Sequence, residues 1–163
     1  MSRSPDVRIR LAKPNDAQAI ASLLYESFAE YEALYTPEGF AATSITSEQI
    51  VDRMREGPVW VAVREDVIVG TVSVAVKSGA LYVRGMAVAP RSRGRRIGDL
   101  LLRHIEEFAG TEGVRRLFLS TTPFLDRAIR LYESFGFRRT DEGPHELFST
   151  PLFTMENVMR ADD

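Results

Sequence analysis

A strand that runs into an arginine-rich, glycine-containing turn and then a helix is the feature that most restricts this chain. Leu81 to Val88 is strand-like, Pro90 closes the strand, and Arg91, Ser92, Arg93, Gly94, Arg95, Arg96, Ile97 and Gly98 lead into Ile97, Leu101, Ile105 and Phe108 at helical spacing. A change from period two to period 3.6 across one short turn calls for a helix packed back on a sheet. The first turn of such a helix has unpaired N–H groups and partial positive charge, so it suits phosphate oxygens. Four arginines lie within six residues there, and each opposes the helix dipole by about 0.3–1 kcal/mol unless an anion sits among them. A pyrophosphate supplies that anion, and Gly94 and Gly98 read as room for its approach.

The flanking segments fit the same layered design. Val7, Ile9 and Leu11 alternate with arginines as a first strand, and Pro14 stops it. Asn15 with Gln18, and Thr46 with Gln49, read as capping boxes that open two helices, the second with Ile45 and Ile50 as a hydrophobic staple. Between them, Glu30 to Thr43 loses its period around Pro37 and Gly39 and reads as a loop or broken helix. Val59–Val63 and Val67–Val76 suggest an antiparallel hairpin, and Lys77, Ser78 and Gly79 make the next turn. The helix after the arginines ends near Gly110 or Gly113; Leu117 to Leu119 is a fifth strand; Ala128 to Phe135 is a fourth helix stopped by Gly136; and Leu152 to Met155 reads as a last strand.

Composition removes several function classes. A net charge of −2 argues against a general nucleic-acid binder, so the basic cluster is local. With no cysteine there is no disulfide, thiolate metal site or cysteine nucleophile, and His104 and His145 stand too far apart for a metal-ligand pattern. Met1 to Arg10 shows neither a secretory signal nor a membrane span, which points to a cytoplasmic protein with no membrane partner. The length suits one domain over residues 1–163.

The turn Arg93, Gly94, Arg95, Arg96, Ile97, Gly98 resembles the Q/R-x-x-G-x-G/A signature of the GNAT superfamily of acetyl-CoA-dependent N-acetyltransferases. Downstream, Ala128, Ile129, Arg130, Leu131, Tyr132, Glu133, Ser134, Phe135, Gly136 and Phe137 are similar to the family's A-x-x-x-Y-x-x-x-G-F segment. The resemblance covers about Val7 to Phe137. It implies an α/β fold with a mixed, mostly antiparallel sheet of about six or seven strands flanked by about four helices. It also implies acetyl-CoA as co-substrate, with the amides of Arg93, Gly94, Arg95, Arg96, Ile97 and Gly98 on the pyrophosphate and Met86, Ala87 and Val88 beside the pantetheine.

Two positions depart from the family. Arg96 stands where glycine is usual, so the backbone is either ordinary there or the loop is shifted, since a positive φ would strain arginine. Leu125 replaces an asparagine and removes a polar contact to the pantetheine.

The chemistry implied is direct attack of an amine on the thioester. An alkylamine of pKa near 10.4 costs roughly 4.6 kcal/mol to deprotonate at neutral pH, so a base or water relay is needed. A backbone N–H near Val88 polarises the acetyl carbonyl, and Tyr132, protonated at neutral pH, is the candidate general acid toward the departing sulfur. The strands at Tyr82–Val88 and Arg115–Thr121 carry no carboxylate to serve as the base; Glu26, Glu30, Glu32 and His145 are the alternatives. Tyr31, Tyr35 and Phe40 either shape an acceptor pocket or belong to the core. The partner is a small-molecule or peptide amine, and a sheet edge or the C-terminal strand offers a route to a homodimer. A non-catalytic acyl-CoA-binding sensor is the competing reading.

Overall fold

The computed structural model describes residues 6–142 and 145–159. Among the described residues eight strands form one sheet: β1 (Arg8–Leu11), β2 (Val59–Arg64), β3 (Val67–Lys77), β4 (Ala80–Val88), β5 (Arg116–Thr121), β6 (Arg138–Arg139), β7 (His145–Leu147) and β8 (Thr150–Val158). The order is β1-β2-β3-β4-β5-β8-β6, with β7 also paired to β8. All neighbours are antiparallel except β4 and β5. Five helices accompany the sheet: α1 (Ala17–Phe28), α2 (Pro37–Thr43), α3 (Ser47–Glu56), α4 (Ile97–Thr111) and α5 (Asp126–Ser134).

The sheet is covered on both faces, and β2 shows why. Trp60 and Ala62 pack with Ile97, Leu101, Leu102 and Ile105 of α4, whereas Val59, Val61 and Val63 pack with Ile20 and Leu24 of α1 and Ile50 of α3. Alternate side chains point to opposite faces, so an unbroken apolar strand is the sequence mark of a sheet buried on both sides. Each fully buried Ile, Leu or Val contributes roughly 1.5–3 kcal/mol.

Local chemistry sets the turns. Glu65 (φ 50°) and Asp66 (φ 62°) close the β2–β3 hairpin, and Ser78 (φ 52°) and Gly79 (φ 77°) close β3–β4, both with the two positive φ values that match strand twist. Thr46 caps α3 as read from its sequence, with Gln49 N–H donating to Thr46 Oγ1 at 3.2 Å and Thr46 N–H to Gln49 Oε1 at 2.9 Å. Ile45 and Ile50 are both buried in the cluster beneath it.

Several expectations are corrected. The Asn15–Gln18 box does not form: Asp16 accepts from Lys13 N–H at 2.7 Å and pairs with Arg10 at 2.8 Å, and a 3-10 turn over Pro14–Asp16 delays the helix to Ala17. The broken segment is a 3-10 stretch, Ala29–Leu34, followed by α2, capped by Thr36, whose Oγ1 accepts from Gly39 N–H at 3.0 Å. Thr36 also donates to the Phe148 carbonyl at 2.6 Å, so α2 is tied to the β7–β8 turn, a tertiary contact that local periodicity does not carry. Among the described residues the α-helices number five and the strands eight, which agrees with the expected mixed, mostly antiparallel sheet flanked by helices; β6 and β7 are too short to show a period. β8 does not form a free edge, because β5 flanks it on one side and β6 and β7 on the other.

Candidate active site

The site begins where two parallel strands part. β4 and β5 pair at Leu81 with Leu117 and Tyr82 with Phe118, and no register continues beyond. On its other edge β4 carries a bulge: Ser73 faces Arg84 but Thr71 faces Ala87, so β4 holds one extra residue, at Gly85 with φ 62°. A bulge bends its strand, and this one coincides with the opening of a gap beside Met86, Ala87 and Val88. Ala89 N–H donates to the Val69 carbonyl on β3 at 2.8 Å. Alternation along the strand therefore turns the N–H and C=O of Val88 toward the gap, where the carbonyl accepts Ser27 Oγ at 3.0 Å.

Below the gap lies the start of α4. Gly94 (φ 85°) bends the chain, and Arg96 is the N-cap residue at φ 60°, ψ 28°. The backbone is thus left-handed at an arginine, neither ordinary nor shifted. The first helical bond is Leu100 N–H to the Arg96 carbonyl at 3.1 Å, which leaves the amides of Ile97, Gly98 and Asp99 without helical partners. A cleft of about 360 Å³ runs over them, lined by Met86, Ala87, Val88, Arg93, Gly94, Arg96, Ile97, Gly98 and Tyr132. Arg95 is exposed and outside that lining.

Not all of the arginine charge faces the cleft. Arg91 pairs with Glu26 at 3.3 Å, and Arg93 pairs with Glu30 and donates to the Ser27 carbonyl at 3.2 Å, so both fasten the turn to α1. Gly98 also has another role than that read from sequence: a Cβ there would lie 2.6 Å from Leu131 Cδ2, so its bareness allows α4 to close on α5. At Gly94 such an atom would meet nothing within 4 Å.

Tyr132 stands on α5, nearly buried, with its ring centroid 5.9 Å from that of Phe137. Burial, with a smaller contribution from Tyr35, pushes its phenol up to about 12. It therefore keeps its proton across the neutral range. A second cleft, of about 230 Å³, opens on the far side. Phe28, Met86, Leu125, Ala128 and Tyr132 line both, so the two hollows meet at this phenol and at the β4 bulge.

Tyr35 and Tyr31 divide between the clefts, Tyr35 in the second and Tyr31 in the first, while Phe40 is core. Tyr35 stacks edge-on against Phe124 at 4.9 Å, and burial raises its hydroxyl pKa. The candidate bases are elsewhere. Glu26 and Glu30 are engaged by arginines, and Glu32 and His145 are exposed and line neither cleft. His104 packs against Trp60 at 4.8 Å. Ser27, Arg53 and Arg84 are site residues that pattern reading missed: a lone serine in an amphipathic helix and arginines on α3 and β4 carry no local signal.

A gap between parallel strands, a helix start with free amides and a buried phenol form a constellation that can be compared with known proteins. The model of the acetyltransferase (GNAT) family matches residues 19–137. The chain belongs to the GNAT acetyltransferase family. That family uses acetyl-CoA, and the expectation of an N-acetyltransferase rests on this membership. N-acetylaspartate synthetase of Danio rerio is 36% identical over 103 residues, 62% of this chain and 36% of that protein. The chain thus spans little more than a third of that relative. Streptothricin acetyltransferase of Streptomyces lavendulae is 27% identical over 150 residues, 78% of this chain and 79% of that protein. In fold, the PaiA N-acetyltransferase of Thermoplasma acidophilum, solved in complex with coenzyme A, superposes with a TM-score of 0.80 at 16% identity, covering 94% of this chain and 99% of that one. Among the described residues no helix is long and apolar enough to cross a membrane.

Proposed function

We propose that the chain moves the acetyl group of acetyl-CoA onto a primary amine by direct attack in a ternary complex. The observation that carries this reading is the meeting of the two clefts at Tyr132, which gives donor and acceptor separate entrances to one point. The first cleft fits coenzyme A on its own features. The amides of Ile97, Gly98 and Asp99 present donors to a pyrophosphate, and the free edge of Met86–Val88 suits an added extended chain. The names of two relatives, N-acetylaspartate synthetase and streptothricin acetyltransferase, support a small-molecule amine as acceptor.

The bound thioester supplies the acetyl carbon: a C–N bond forms as the C–S bond breaks, one proton leaving nitrogen and one reaching sulfur. Val88 N–H, held toward the gap, stabilises the charge that grows on the carbonyl oxygen. Tyr132 gives its proton to the sulfur, whose thiol pKa of about 8.5 lies well below that of the buried phenol. Delivery of that proton is therefore uphill even toward the fully formed thiolate, and it is drawn forward as the phenolate recovers a proton from water. Among the described residues neither a carboxylate nor an imidazole lines the second cleft, so water takes both protons that the ammonium loses, one before attack and one as the amide forms.

Thiol release from acetyl-CoA, measured with a panel of amines, tests the reading. Acetylated amine in step with free thiol supports it. Binding of acetyl-CoA without thiol release from any amine contradicts it and favours an acyl-CoA sensor.

A further inference from the structure

We infer that the second cleft selects a small primary amine that also carries a carboxylate, held by the guanidinium of Arg53 beside Gly85. This rests on the acetyltransferase reading of the same site and names its acceptor class.

Arg53 stands in the last turn of α3, half-buried and lining the cleft. Its Nη1 lies over the β4 bulge, where a Cβ on Gly85 would approach it to 2.7 Å, so the bare left-handed glycine makes room for a cation. Among the described residues Arg53 has no ion pair and no side-chain hydrogen bond. Arg84, one residue before the bulge, lines the same cleft. It pairs with Glu56 through Nη2 at 2.8 Å, yet its Nε is buried without a hydrogen-bond partner. Of the two guanidinium groups only that of Arg84 meets a carboxylate, and among the described residues no Asp or Glu lines the cleft.

A partly desolvated cation beside another is unfavourable until an anion joins it. Burial, and then Arg84, depress the Arg53 pKa, the sign of a site short of negative charge. Arginine remains charged at any working pH, and its planar fork suits a carboxylate with two parallel bonds. Glu56 cannot neutralise both, so a polyamine meets repulsion while an amino acid meets a partner. A volume of about 230 Å³ is below the usual 300–1,000 Å³ of drug-sized sites, which suits a molecule of amino-acid size.

The test is steady-state thiol release by the intact chain with free amino acids, the matching amino acid amides, β-alanine, γ-aminobutyrate and spermidine. The expected result is a kcat/KM for at least one carboxylate-bearing amine about tenfold or more above that of its uncharged counterpart, with spermidine poor. Arg53→Gln should lower kcat/KM for the carboxylate-bearing amine about tenfold more than for its amide, removing that preference; Arg53→Lys, which keeps charge but not the fork, should keep part of it. Amides or spermidine used as well as the carboxylates would overturn the inference and leave the transferase reading intact. Silence with every amine would overturn both.

Discussion

Ser27 Oγ donates to the Val88 carbonyl at 3.0 Å, joining the last turn of α1 to the end of β4 across 61 residues of sequence. The bond occupies the carbonyl that faces the gap and leaves the neighbouring N–H directed into it. Helix α1 therefore helps to hold the strand edge to which the proposed carbonyl polarisation is assigned.

Ser27→Ala removes that donor and leaves a part-buried carbonyl unpaired, a cost of about 1–3 kcal/mol. Urea unfolding should show this loss. The turnover number should fall more than acetyl-CoA affinity does, because the bond orients a group proposed to act at the reacting carbon.

Tyr132→Phe should reduce kcat by about a hundredfold or more while acetyl-CoA binds within about twofold of wild type. Stability gives a second readout. The folded phenol titrates at about 12 against an ordinary 10.0, so its stabilising contribution is complete below pH 10 and is lost as pH rises through about 12. The stability difference between wild type and Tyr132→Phe should be constant from pH 6 to 9 and shift against wild type above pH 10. A flat difference to pH 12 would contradict the burial argument.

Because no carboxylate or imidazole lines the second cleft among the described residues, the pH profile of kcat/KM should follow the acceptor rather than the protein. It should rise tenfold per unit to the pKa of whichever amine is supplied, and the break should move when the amine is changed. A fixed break near pH 6 to 7 for every acceptor would point to an enzymic base.

Arg96 sits at φ 60°, a conformation that costs a non-glycine residue about 1–2 kcal/mol. Arg96→Gly should raise stability by about 1 kcal/mol, or a Tm gain of about 2–4 °C for a chain of this size, whereas Arg96→Ala should not. Differential scanning calorimetry distinguishes the two.

Much of this architecture is written in the local pattern. The strand–turn–helix from Leu81 to Ile105, the Thr46 cap and the left-handed stop at Gly136 (φ 92°) all depend on residues close in sequence, and each is found where the pattern places it. Eight of the nine residues that the resemblance set beside a cofactor line the first cleft, and Arg95 lies outside it. What the pattern does not carry is long-range. Helix α2 exists because Thr36 docks on the β7–β8 turn, and Arg53 reaches the β4 bulge across more than thirty residues. Gly98 reads equally well as a ligand contact or as a packing contact until Leu131 is seen beside it. The arginine cluster looks uniformly free until Glu26 and Glu30 claim Arg91 and Arg93.

The account depends above all on the first cleft as the seat of coenzyme A, and titration calorimetry with acetyl-CoA tests that most directly. One site per chain with a micromolar Kd, displaced by free coenzyme A and weakened when Gly94 is replaced by a β-branched residue, is the predicted result. The absence of heat and of competition at millimolar acetyl-CoA, from protein shown to be folded, would contradict it.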